Sequence, residues 1–193
     1  SMKKDTFIPQ KDTSYSAGLA YIVTSEKPEL ILVLQQGGEA NKQKTGPAFI
    51  EQRSWKIPMG HFNPDKDQNL LDTAVREFEE ETGLRIDFKE TSVQGSARMR
   101  IPSQRPGYAW HEDMFYLVSS TTVPDQSGTT KDVRIESVRS FALHTLPLKK
   151  PVRDALLAHG HRKKLTIILS ANQAYVEELG IDAETLMKQL ASE

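Results

Sequence analysis

The stretch from Asn69 to Gly83 constrains the fold of this chain more than any other. Asn69 is a typical helix N-cap residue, Asp72 completes the pattern of a capping box, and Gly83 is a typical C-cap residue. One apolar face recurs at helical spacing and consists of Leu71, Ala74, Val75 and Phe78. The pattern predicts a helix over residues 69–82. A helix with one apolar face needs a second layer to cover it.

The same helix carries an unusual density of negative charge. Four glutamates fall within five residues, and at 100° per residue Glu77, Glu80 and Glu81 lie within an arc of roughly 100°. Glu79 points to the other side. Like charges at this spacing repel by a few tenths of a kcal/mol per pair, and a bound divalent cation would offset that repulsion. Mg²⁺ suits such a set of carboxylate oxygens. The alternative is a solvated acidic helix face.

The order of the remaining elements predicts an α/β fold with a mixed sheet and helices packed on it. Hydrophobic patterning predicts strands near 17–24, 29–35, 54–59, 86–98, 113–119 and 135–143. Loops are expected at 36–50 and 120–132. Helices are predicted from Pro151 to about Leu157, with Gly160 as a stop, and at 161–179 and 182–190 with Asp182 as an N-cap. Residues 1–160 would form the main domain, and residues 161–193 would form a helical extension packed on it.

Composition narrows the classes of protein that fit. The 193 residues carry a formal net charge of −1, so no global basic field attracts nucleic acid or an anionic membrane. The absence of cysteine excludes disulfides and thiol chemistry and fits a reducing compartment, so a cytoplasmic location is expected. No apolar run approaches the ~20 residues of a membrane span, and no signal peptide is predicted.

A contiguous motif within the acidic helix identifies a family resemblance. Residues 76–84 read Arg-Glu-Phe-Glu-Glu-Glu-Thr-Gly-Leu and match R-E-U-x-E-E-x-G-U, where U is an apolar residue. This stretch resembles the core of the Nudix box, and Trp55 to Gly60 resembles the strand and turn that lead into the box. The resemblance implies an α/β/α sandwich and Mg²⁺ or Mn²⁺ held by Glu77, Glu80 and Glu81. It also implies that Arg76 orients a box carboxylate and that water attacks a pyrophosphate phosphorus.

The chain departs from the full box upstream of the helix. The first glutamate of the box is replaced by Gln68, and Phe62 stands at the expected glycine position, with Gly60 two residues earlier. Asp65 or Asp67 would then replace the missing carboxylate. The alternative is a domain with fewer metals or slower turnover, or one that binds without catalysis.

Most candidate residues outside the motif lie before and within the strand predicted at 113–119. Glu112 is favoured over Asp113 and His111 as an additional metal ligand or general base. Arg98 and Arg100 are candidate phosphate ligands, as are Arg105, Lys42 and Lys44, and Tyr108 and Trp110 are candidates for base stacking. Each of these residues also fits a solvated surface or a packed loop. The basic run from His159 to Lys164 is interpreted as a charge cluster at a helix end.

Three functions remain open from the sequence. The favoured one is a pyrophosphohydrolase acting on ADP-ribose or a nucleotide sugar, with nucleoside triphosphates next. The second is a Nudix domain that binds a nucleotide or a partner without turnover, and the third is RNA 5′-end processing, which the neutral charge disfavours. An apolar stripe predicts either core packing or the seam of a homodimer, and it consists of Ile167, Ile168, Ala171, Tyr175 and Leu179.

Overall fold

A computed structural model describes residues 7–35, 54–89, 91–123, 137–146, 148–157 and 159–192. The seven strands of this part of the chain are β1 (Thr13–Val23), β2 (Glu29–Gln35), β3 (Ser54–Lys56), β4 (Met59–His61), β5 (Ser92–Pro102), β6 (Trp110–Ser120) and β7 (Ser137–Ala142). The helices are α1 (Leu70–Thr82), α2 (Lys150–Leu156), α3 (His159–Ala171), α4 (Gln173–Glu178) and α5 (Ala183–Ala191), with a 3₁₀ turn at Leu143–Thr145. The loop predicted at 36–50, with Lys42 and Lys44, lies outside the described residues, as does most of the loop predicted at 120–132.

The strands form one mixed sheet centred on β1. Its order is β3-β2-β1-β6-β5, with β4 beside β1 and β7 beside β2. The β1–β6 pair is parallel and the other pairs are antiparallel. All eleven residues of β1 are buried, as expected for a central strand covered on both faces.

Helices cover the two faces of the sheet, which confirms the predicted α/β/α architecture. On one face α1 packs against β1 through Leu70, Ala74 and Phe78. On the other face α3, α4 and α5 bury a larger cluster that includes Leu165, Ile168 and Val176 from the helices and Ala20, Ile22 and Leu117 from the sheet. None of the helices in the described ranges combines the length and the apolar character needed to cross a membrane.

The segment 54–61 occupies the gap that opens where β1 and β2 separate. β1 pairs with β2 only at residues 21–23, and beyond that point β3 pairs with β2 while β4 pairs with β1. The single strand predicted at 54–59 is therefore two short strands. Pro58 lies between them, and a proline cannot donate to a strand ladder.

Several predicted boundaries are corrected by tertiary contacts. The strand predicted at 86–98 runs from Ser92 to Pro102, and the helix predicted at 161–179 is divided into α3 and α4 at Asn172. The Asn172 side chain donates to the Ile168 carbonyl at 2.9 Å and lies against Gly95, where a Cβ atom would be 1.8 Å from Asn172 Oδ1. Gly160 does not end a helix, because it lies in the first turn of α3.

The apolar faces of two helices also differ from their predicted composition. Leu70 is buried in α1, whereas Leu71 and Val75 are partly buried at the edge of the same cluster. In the C-terminal stripe Ile168 is buried in the core, and Ile167, Tyr175 and Leu179 pack against it, whereas Ala171 is exposed.

The caps of α1 form as the sequence predicts, with one difference. Asn69 Oδ1 accepts from the Asp72 amide at 2.8 Å, and Gly83 adopts φ 71° while its amide donates to the Glu79 carbonyl. Asp72 Oδ2 accepts a hydrogen bond from the Gln68 amide at 3.0 Å. In a capping box the donor would be the amide of the N-cap residue, which is one position later. The helix that carries the glutamates is thereby fixed at both ends.

We expect Asn69→Ala to lower the free energy of unfolding by about 1 kcal/mol, because the Asp72 amide loses its acceptor. Urea unfolding measures the change. Asn69→Ser is the matched control and should stay within a few tenths of a kcal/mol of the original chain, since serine caps comparably. Equal loss in both variants would contradict a capping role.

Candidate active site

A cleft of about 670 Å³ lies between α1 and the segment that follows β4. Its lining combines the acidic helix face with parts of β1 and β4 and the residues after β4. It consists of Ser16, Met59, Gly60, His61, Phe62, Asn63, Pro64, Lys66, Arg76, Glu77, Glu80 and Glu81. The three glutamates that the helical spacing places on one face therefore line one cavity.

Each of the three glutamates is held by a specific donor. Glu77 is 8% exposed and its Oε1 lies 2.9 Å from Arg76 Nη1, while Glu80 Oε2 lies 3.4 Å from the same nitrogen. Glu81 Oε2 accepts from the Met59 amide at 3.2 Å. Glu79 lies outside this set, because its carboxylate accepts from the Ile86 amide at 3.1 Å.

Arg76 joins the acidic helix to the turn before it. Its Nε and Nη2 each lie 2.8 Å from an oxygen of Asp67, and Nη2 also donates to the His61 carbonyl at 3.0 Å. The hydrogen bonds that Arg76 donates to Asp67 are the main reason why the pKa of Arg76 is raised above its ordinary value. The guanidinium is therefore a permanent cation among the carboxylates.

Asp67, in the turn before α1, is the carboxylate that pairs with Arg76. Its side chain is 1% exposed and also accepts from the Thr73 hydroxyl at 2.9 Å and from the Asn63 amide at 3.0 Å. Burial opposes the charged form of Asp67, but the hydrogen bonds from Arg76, Asn63 and Thr73 prevail and lower its pKa. Gln68 and Asp65 are both exposed, and the amide of Asp65 donates to Asn63 Oδ1.

Gly60 allows the strand to approach the helix closely. A Cβ atom at this position would lie 2.1 Å from Glu77 Cδ, so any other residue would displace the glutamate. Gly60 lies two residues before the glycine position of the box, and a glycine is needed there because a side chain would collide with Glu77.

The chemistry of this donor set fits a hard divalent cation. Oxygen ligands from clustered carboxylates suit Mg²⁺ and Mn²⁺, and Glu77, Glu80 and Glu81 are the residues that would hold the ion. Within the described ranges no three His, Cys, Asp or Glu side chains converge on one point as a preformed ligand set. Glu77 and Glu80 are instead directed at Arg76, so binding a cation would require their carboxylates to turn from the guanidinium.

Apart from Lys42 and Lys44, which lie outside the described residues, the predicted residues outside the motif lie on β5, β6 and their connection, and none of these lines the cleft. Glu112 Oε1 pairs with Arg100 Nη1 at 2.8 Å, and the Arg100 guanidinium lies 4.8 Å from the centre of the Trp110 ring. Arg105 lies over Tyr108 in the same way, 5.6 Å from the ring centre. Arg98 is exposed. Their roles in catalysis and substrate binding stay predictions.

Sequence analysis missed His61 and Ser16, which do line the cleft. His61 Nδ1 lies 3.1 Å from Ser16 Oγ, and burial lowers the pKa of His61, helped by the charges of Arg105 and His111. The only sequence signal is that His61 directly follows Gly60. Ser16 becomes visible only through the pairing of β1 with β4.

A second polar cluster lies between β1, β6 and α3. His111 Nδ1 lies 2.7 Å from Ser14 Oγ, and its Nε2 lies 2.8 Å from Asp113 Oδ1. Lys164 of α3 lies 3.8 Å from the other oxygen of Asp113. The basic run 159–164 forms the start of α3 rather than the end of a helix. His161, Arg162 and Lys164 of this run make tertiary contacts.

We expect Asp67→Asn to lower the free energy of unfolding by about 1.5–3 kcal/mol at neutral pH, because Arg76 loses a charged acceptor. The pKa of Asp67 is lower in the folded state, so its contribution is full above its ordinary pKa of 3.8 and is lost as the pH falls through the folded value. The difference between the original chain and the variant should thus shrink below about pH 4. Urea unfolding across this range tests the prediction, and a difference that does not change with pH would contradict it.

Comparisons with known proteins point to one family. A family model described as the NUDIX domain matches residues 15–160. The human protein named nucleoside diphosphate-linked moiety X motif 6 is 33% identical over 104 residues, which are 54% of this chain and 27% of the human protein. The chain thus spans 27% of the length of this curated relative.

Two solved structures share the fold at low sequence identity. A NUDIX hydrolase from Nitrosomonas europaea is 14% identical, with a TM-score of 0.50 over 86% of this chain and 89% of that chain. A bifunctional NMN adenylyltransferase/ADP ribose pyrophosphatase from Francisella tularensis, complexed with AMP and Mn, is 17% identical, with a TM-score of 0.52 over 84% of this chain and 43% of that chain. At these identities the likeness concerns the fold alone. Because the family model matches well over half of the residues and the acidic helix carries the box core in full, this chain belongs to the Nudix family.

Proposed function

We propose that this chain is a Mg²⁺- or Mn²⁺-dependent pyrophosphohydrolase that cleaves a nucleoside diphosphate linked to another moiety. ADP-ribose and nucleotide sugars are the favoured substrates, and nucleoside triphosphates come next. One observation carries the proposal: Glu77, Glu80 and Glu81 line a single cleft that is large enough for a nucleotide. The solved relative from Francisella tularensis, whose name includes ADP ribose pyrophosphatase, agrees with this substrate class.

The reaction adds water across a phosphoric anhydride. The water oxygen bonds to one phosphorus, the bridging P–O bond breaks, and one proton of the water passes to a base. A divalent cation, when bound, supplies charge neutralisation for the phosphate oxygens and activates the water. The chain itself contributes the rigid acidic face of α1 and a cleft wall from β4.

Arg76 has a positioning role in this proposal. Its guanidinium is held by Asp67 through two bonds of 2.8 Å, and its remaining nitrogen faces Glu77 and Glu80. Asp67 and Arg76 together supply an internal ion pair, so the exposed Gln68 need not bear a charge for the helix face to be ordered. The presence of Gln68 at the position of the first box glutamate is therefore no reason to expect a loss of catalysis.

The Arg100–Trp110 pair is the proposed contact for the nucleotide base. Trp110 is 38% exposed, and the guanidinium stacked on one side of its ring leaves a flat cationic surface on β5 and β6. Arg98 and Tyr108 are proposed to contribute to the same surface. Glu112 is proposed as the base, and it would have to exchange its Arg100 partner on substrate binding.

We expect Glu80→Gln to lower Mg²⁺-dependent turnover by more than about 100-fold, since a ligand should matter at least as much as the groups that support ligands. The measurement is chromatography of products from a panel of ADP-ribose, nucleotide sugars, nucleoside triphosphates and a 5′-triphosphorylated RNA. Glu79→Gln is the matched control on the same helix and should retain activity within about threefold, because Glu79 accepts from Ile86 and lies outside the cleft.

Other outcomes of this panel would overturn the proposal. No turnover of any compound by a folded chain that binds nucleotide would favour the binding module. Turnover of the RNA alone would favour 5′-end processing. Equal loss in Glu79→Gln and Glu80→Gln would show that the effect comes from helix stability and not from the cleft.

A further inference from the structure

Helix α3 contacts the segment 54–61, which forms one wall of the cleft. The family match ends at residue 160, and the next residue, His161, reaches the segment 54–61. Its Nδ1 accepts a hydrogen bond from the Ile57 amide at 3.0 Å. This bond joins the C-terminal helices to the one segment that lies between β1 and β2.

The Ile57 amide needs this acceptor. Ile57 is 1% exposed and lies between β3 and β4, where the strand pairing is interrupted. A buried amide without a partner is strongly disfavoured, and here the imidazole ring takes the place of a neighbouring strand.

His161 is suited to act as an acceptor. Burial lowers its pKa to about 3, and the positive charges of Lys164 and Lys56 act in the same direction. The ring is therefore neutral near pH 7, with its proton on Nε2, and the Nδ1 lone pair is available to Ile57. A protonated imidazole would have no acceptor.

The residues directly after Ile57 hold two of the three cleft glutamates. The Pro58 carbonyl accepts from the Leu19 amide at 3.2 Å, and the Met59 amide donates to Glu81 Oε2 at 3.2 Å. Gly60 then lies against Glu77, with no room for a Cβ atom. A shift of the Ile57 backbone would therefore move the contacts that the next three residues make with Glu81 and Glu77.

Two further contacts, one from α3 and one from the residue after α2, lie at the same place. Lys164, one turn after His161, lies 3.3 Å from Met59 Sδ. Leu157 forms an isolated parallel bridge with Trp55. The docking is therefore not confined to one side chain.

We propose that His161 is a positioning residue of the active site, which fixes the Ile57–Gly60 backbone against Glu81 and Glu77. The inference rests on the proposed hydrolase function for its kinetic consequences. It adds that α3 helps to shape the cleft through its contacts with the segment 54–61 rather than through contact with substrate.

The test compares two substitutions at one position. His161→Asn keeps an acceptor near the place of Nδ1, whereas His161→Leu removes it and leaves the Ile57 amide unpaired. We expect His161→Leu to lower kcat by about 10-fold to 100-fold and to weaken Mn²⁺ binding similarly, with KM changed less than about threefold. His161→Asn should restore kcat to within about threefold of the original chain.

Leu169→Ala provides the control for lost stability. Leu169 is fully buried on the same helix, eight residues and roughly 12 Å along the helix axis from His161. This variant should lower the melting temperature while kcat stays within about twofold below that temperature. If His161→Leu also lowers only the melting temperature, or if His161→Asn fails to restore kcat, the positioning role is wrong.

A spectroscopic measurement separates this proposal from the proposed function. The backbone amide signals of Ile57, Met59 and Gly60 should shift in His161→Leu and remain near their original positions in His161→Asn and Leu169→Ala. If the original chain shows no turnover, the hydrolase proposal fails, and these signals then decide the positioning role alone. Unchanged Met59 and Gly60 signals in His161→Leu would overturn it.

Discussion

The candidate site depends on the hydrogen bonds and ion pairs of the Arg76 guanidinium. The guanidinium binds Asp67 with two short bonds, the His61 carbonyl with a third, and Glu77 and Glu80 with the remaining nitrogen. Carboxylates packed this closely on one helix face would repel each other, and a permanent cation between them makes the arrangement stable. The same contacts tie the turn before α1 to the helix itself, so the charge balance and the shape of the cleft are fixed together.

The segment 54–61 contributes the wall of the cleft that faces α1. It fills the gap between β1 and β2, and its backbone meets the acidic helix through Met59 and Gly60. Short strands interrupted by proline have few ladder bonds of their own, so the segment takes its order from its neighbours. Leu19 of β1 supports it from within the sheet, and α3 supports it from behind. The acidic helix α1 and helix α3 thus lie on opposite sides of one short stretch of backbone.

Residues with strong local signals were predicted well. The helix 69–82 follows from its caps and apolar period, and Glu77, Glu80 and Glu81 line one cleft because their spacing places them on one helix face. Where long-range contacts compete, local patterns fail. The predicted helix 161–179 divides at Asn172 because that side chain packs on Gly95, which is 77 residues away in sequence and next to it in space. The choice between Asp65 and Asp67 also depends on the path of the turn, which spacing alone does not define.

The sequence by itself determined the acidic helix, the family and the alternation of strands and helices, because each of these depends on residues close together in the chain. Only the tertiary structure decided that Asp67 pairs with Arg76, that Ser16 and His61 line the cleft, and that His161 supports Ile57. The first contact depends on the path of the turn before α1, and the others join elements that are brought together by sheet pairing or by burial of a helix face. Their energies depend on distance and on exclusion of water, which a linear pattern does not contain.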